Sequence, residues 1–91
     1  MIDAEDREHL REAIITAMAA SAPYACNLAV IRRAAWKLGF RDTTNKELVA
    51  ELDYLSDKGF ATPGEKAISP ENGVWKITAA GRDYAAQNGL A

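Results

Sequence analysis

The sequence predicts a single, mostly helical α+β domain over 1–91: three helices, a small antiparallel β-hairpin and a C-terminal helix. Three observations carry this. Before residue 59, apolar residues recur at helical spacing in three segments, bounded by capping, breaking or stop residues. Beyond Gly59 the apolar period shortens to two and turn residues cluster, which is the chemistry of a hairpin. At 91 residues, 48% of them hydrophobic, the chain has the apolar material for one core.

Asp3 is placed to cap the first helix, and Glu5 and Asp6 fall in its first turn, where the positive end of the helix dipole favours carboxylates. Leu10, Ala13, Ile14, Ala17 and Met18 then form one buried stripe. Ile15 lies about 100° off that stripe, so it is expected to meet another element or an oligomer partner. Ser21, Ala22 and Pro23 end the helix, because proline cannot continue it and restricts the residue before it.

A second helix is expected over 27–38, capped by Asn27 and stopped by Gly39. Its apolar stripe is Leu28, Ile31, Ala35 and Leu38, with Arg33 and Lys37 opposite and Arg32 and Trp36 on the flank. The third helix, over 44–58, carries the clearest signals. Thr44 followed by Glu47 fits a reciprocal capping box, and Lys58 with Gly59 supplies a left-handed stop. Leu48, Leu52 and Leu55 face the core, with Val49 beside them. The short stretch between Gly39 and Thr44 is about the length of the turn in a helix-turn-helix, so these two helices should cross steeply.

Short strands are expected over 60–62 and 74–78, the second with Trp75 and Ile77 on one face and Val74 and Lys76 on the other. Between them lie Pro63, Gly64, Pro70, Asn72 and Gly73, turn-forming residues that leave room for a further short strand over 66–68. Thr78 caps a final helix over 79–87, which Asn88 and Gly89 end. Trp75 and Trp36 are both read as packing residues, and Cys26 as a small buried one.

Composition excludes several functions. No apolar run is long enough to span a membrane, and residues 1–7 are acidic where a secretion signal would be basic, so a cytoplasmic protein is expected. One cysteine, Cys26, and one histidine, His9, supply neither a disulfide nor a four-ligand zinc site. Nor is there a serine or cysteine signature for a nucleophile paired with a base. No enzyme, metal or cofactor is therefore expected.

The third helix ends Leu55, Ser56, Asp57, Lys58, Gly59, Phe60, and the later segment reads Trp75, Lys76, Ile77, Thr78, Ala79, Ala80, Gly81, Arg82, Asp83. On these residues the chain resembles the winged helix-turn-helix superfamily, in particular bacterial regulators of the MarR, PadR and ArsR types. In those, a leucine-polar-glycine-apolar end to the recognition helix is followed by a wing and a leucine-threonine-x-x-glycine strand exit. Ile77 stands here in the leucine place. A narrower likeness is to small winged-helix proteins of Mu-like phages and prophages, through the asparagine-capped second helix near 24–28, the Arg41 and Asp42 lead into helix three, and Gly81 with Asp83. The superfamily resemblance implies a DNA-binding or transcription-regulatory module; the phage family carries no firm activity of its own.

Charge opposes a simple version of that reading. Residues 42–58 hold five acids (Asp42, Glu47, Glu51, Asp53, Asp57) against two bases (Lys46, Lys58), whereas 27–41 holds Arg32, Arg33, Lys37 and Arg41 and no acid. Duplex DNA is gripped by cations that displace counterions, so an acidic recognition helix would resist it. Two functions are therefore carried forward. In the first, Arg32, Arg33, Lys37 and Arg41 hold the phosphates of double-stranded DNA while Thr44, Asn45 and Lys46 meet a groove, Asn45 being suited to adenine. In the second, an outward face of Glu47, Asp53, Tyr54 and Asp57 binds a protein partner, with Tyr54 as the anchor. The basic residues also fit a solvated face paired with acids of helices one and three. Alanine-rich helix ends (Ala17, Ala19, Ala20; Ala79, Ala80, Ala85, Ala86) leave a homodimer open.

Overall fold

The computed structural model describes residues 4–64 and 73–90. Their order is α1 (Ala4–Ser21), β1 (Cys26–Asn27), α2 (Leu28–Lys37), α3 (Asn45–Asp57), β2 (Ala61–Pro63), β3 (Val74–Ile77) and α4 (Ala79–Gln87). Among the described residues this is an α+β arrangement of four helices and one antiparallel sheet, with strand order β1-β3-β2. The Asp3 cap and the 66–68 strand lie outside the described residues.

Side-chain caps start three of the helices. Asn27 Oδ1 accepts from Val30 N at 2.9 Å, Thr44 Oγ1 from Glu47 N at 3.1 Å and Thr78 Oγ1 from Gly81 N at 3.1 Å. Each satisfies a backbone donor that the first helical turn leaves without a partner. At α3 the box is complete, because Thr44 N also donates to Glu47 Oε1 at 2.9 Å. That backbone bond first, and the Thr44 hydroxyl second, hold the Glu47 carboxyl below the usual carboxylate range. The chain leaves α2 and α3 through Gly39 and Gly59, at φ of 104° and 84°, the left-handed region that side chains other than glycine rarely adopt.

β3 is the central strand. Ile77, Lys76 and Trp75 face Ala61, Thr62 and Pro63 of β2, while Trp75 and Val74 face Cys26 and Asn27 of β1. Alternation buries Trp75 and Ile77 and exposes Lys76, as the spacing predicts. The first hairpin strand begins one residue later than expected. Phe60 N donates to Leu55 O at 2.9 Å, so Phe60 still belongs to the closing turn of α3. Thr78 likewise drops out of β3, since its hydroxyl caps α4. β1 was not expected: two residues joined to β3 have no periodicity to read.

The core draws Leu10, Ile14, Ile15 and Met18 from α1, Ile31 from α2, Leu48 and Leu52 from α3, Ile77 from β3 and Ala85 from α4. Burying each large aliphatic chain is worth about 1.5–3 kcal/mol. α1 is the hub, packing against α2, α3, α4, β1 and β3. Ile15, off the main stripe, is therefore buried within its own chain. Gly81 allows the close approach of α4 to the end of α3, because an added Cβ would collide with the Phe60 carbonyl oxygen and press on the Ile77 side chain. This is the physical content of the threonine-x-x-glycine motif.

One core assignment is corrected. Leu38 is 57% exposed, not part of the buried stripe. It is the C-cap of α2, with φ −92° and ψ 9°, and the helical angular rule stops where the helix does. Leu38 instead edges a shallow hollow shared with His9, Phe40 and Leu90.

Candidate nucleic-acid interface

Burial of Leu28, Ile31 and Ala35 sets the rotation of α2 and turns the opposite stripe to solvent. That stripe is Ala29, Arg32, Arg33, Trp36 and Lys37, at helical spacing, around an open hollow of about 520 Å³. Among the described residues no carboxylate forms an ion pair with Arg32, Arg33 or Lys37; the ion pairs formed run from Arg7 and Arg11 to Glu51. The expected pairing of these bases with acids of α1 and α3 is thus not what the structure contains.

Trp36 corrects its expectation as a packing residue, being 50% exposed. It sits about 100° round the helix from the buried Ala35, past the edge of the stripe. The Arg41 guanidinium, from the turn after α2, lies 4.5 Å from the centroid of its ring, a cation–π contact. Arg32 reaches the other way: its Nη1 donates to Asn45 Oδ1 at 2.8 Å. That bond links the basic helix to the first residue of α3 and orients the Asn45 amide, leaving its NH₂ and one oxygen lone pair for a ligand. Lys46 is exposed beside it. Thr44 has less to offer, because its hydroxyl both accepts from Glu47 N and donates to Glu47 Oε1 at 3.0 Å.

The acidic helix is built differently. Glu51, which the helical wheel placed on neither the core nor the outward face, is 8% exposed and accepts from Arg11 Nε at 2.6 Å, with Arg7 Nε 3.7 Å from its other oxygen. Tyr54 was expected to be an open anchor. It is half-buried beneath Arg11, whose guanidinium carbon is 3.6 Å from the ring centroid, with Lys58 at 5.9 Å. The reason is α1, which crosses this side of α3 and lays its arginines over it. Glu47 is engaged in the capping box, so the carboxylates that α3 leaves fully exposed are Asp53 and Asp57. Sequence reasoning missed Arg7 and Arg11. Their i,i+4 spacing put them on one face of α1, but nothing local named Glu51 as their partner.

No helix among the described residues is long and apolar enough to cross a membrane, and none of their His, Cys, Asp and Glu side chains gather in threes that could hold a metal. No protein-family model, curated protein or solved structure matches the chain.

Proposed function

We propose that the protein is a small DNA-binding or transcription-regulatory module of winged helix-turn-helix type. Two helices joined by a tight turn, followed by an antiparallel strand pair and a closing helix, support the architecture. The observation that carries the function is the Arg32–Asn45 hydrogen bond, because it joins the basic stripe to the one helix N-terminus suited to meeting a base edge. Arg32, Arg33, Lys37 and Arg41 hold phosphates, the α3 dipole favours an anion at its first turn, and Asn45 and Lys46 face the groove.

The charge conflict shrinks in this reading. Glu51 is neutralised by Arg7 and Arg11, so a duplex lying along α2 and the first turn of α3 faces the α2 cations and Lys46 against Asp42 and Glu47, with Asp53 and Asp57 farther along the helix. The alternative, a protein docked on the acidic face of α3, loses its intended anchor because Arg11 already covers Tyr54.

A salt series decides it. Anisotropy titration of a labelled mixed-sequence duplex should give binding that weakens steeply as salt rises, with a log–log slope of roughly −0.9 per phosphate contacted. Absence of binding at low salt would remove the reading.

A further inference from the structure

One side chain on the basic stripe offers a flat ring face that a closed duplex does not use. Phosphates are held by cations, and a base-paired helix presents base edges in its grooves, with the flat faces of its bases stacked away. An indole at the centre of that stripe has nothing to stack on there. Trp36 nonetheless stands among Arg32, Arg33 and Lys37 with half its surface open, while the other tryptophan, Trp75, is in the core. The Arg41 guanidinium lies over the ring, 4.5 Å from its centroid.

We infer that the α2 stripe takes single-stranded nucleic acid, with one unpaired base stacked on the open surface of Trp36 and the flanking phosphates held by Arg32, Arg33 and Lys37. Unpaired bases expose the π-faces that aromatic side chains bind, and a cationic track beside such a platform is how strands are held without sequence readout. Arg41 polarises the same ring from its other contact, giving an arginine–indole–base stack. The charge is complementary along the whole stripe, since 27–41 contains no acid. This rests on the nucleic-acid reading above and narrows it: the protein would favour a duplex that is opened, or a strand already displaced, over a closed one.

Anisotropy with five ligands tests it: an oligothymidylate and an oligouridylate of about 15 nucleotides, an abasic strand of the same length, the closed duplex, and an acidic peptide of matched charge. The thymidylate should bind more tightly than the abasic strand and quench the exposed Trp36 fluorescence, and the uridylate, which differs in both the 2′-hydroxyl and the C5 methyl, should do the same because stacking needs neither. Trp36→Ala should weaken thymidylate binding about tenfold while leaving the abasic strand unchanged, and Trp36→Phe should recover most of the loss. Circular dichroism melts establish that both variants fold. Equal binding of thymidylate and abasic strand, an unaltered thymidylate affinity in Trp36→Ala, or equally tight binding of an acidic peptide of matched charge would overturn the inference while duplex binding stands. Failure of all the nucleic acids would overturn both readings.

Discussion

α2 and α3 carry opposite charge in the sequence and use it in opposite ways. The bases of α2 point to solvent, and the contacts made on that face, Arg32 to Asn45 and Arg41 of the following turn to Trp36, arrange it and leave its charge unneutralised. One acid of α3 is turned inward, Glu51, which holds Arg7 and Arg11, while Glu47 closes the capping box at the exposed helix start. The difference teaches that net charge along a segment is not the charge a partner meets. An acid paired with cations of its own fold, as Glu51 is with Arg7 and Arg11, opposes a polyanion less than the composition of its helix says.

The largest expected effect is on the α2 side. Replacing Arg33 and Lys37 together by glutamate should weaken duplex binding at low salt about a hundredfold and lower the salt slope by roughly two phosphates, read by anisotropy. Retained affinity would move the interface off α2. Next comes Glu51→Ala, which strips both arginines of their acceptor. It should cost about 1–2 kcal/mol in urea unfolding, a value below that for a fully buried pair because the arginines are partly exposed, with nucleic-acid affinity unchanged.

Thr44→Ala should cost about 1 kcal/mol through the lost cap. It carries a pH signature as well. Glu47 has a lowered pKa when folded, so its contribution is present above its unfolded pKa and is lost as pH falls through the folded one. Acid titration of stability should therefore be flatter in Thr44→Ala than in the parent. The smallest effect belongs to the exposed acids. Changing Asp53 and Asp57 together to asparagine should leave stability within about 0.5 kcal/mol and tighten duplex binding a few-fold at low salt. Weaker binding would mean that α3 meets its partner through those carboxylates.

Most of this architecture was legible because its signals are local. Thr44 with Glu47, Thr78 with Gly81, and the leucines of α3 each announce themselves within one or two helical turns. What escaped notice depends on a second element. Cys26 and Asn27 form a strand through pairing with Trp75 and Val74, far along the chain. Tyr54 and Glu51 are covered by α1, which a wheel drawn on α3 alone cannot know. Leu38 was assigned inward by extending a helical angle one residue past the helix. The basic residues were all named beforehand, but their connection to α3 through Arg32 and Asn45, and the exposure of Trp36, required the packing of α2.

The central position of α1 also governs the order in which the molecule can be completed. On the ribosome this helix is synthesised before every other described element, yet it must bury surface against α4, the last of them. Its apolar side therefore waits, uncovered, through the making of some sixty residues, and the core closes only when Ala85 has emerged. A chain arrested or cleaved ahead of α4 would leave the α4-facing side of α1 open to chaperones and proteases.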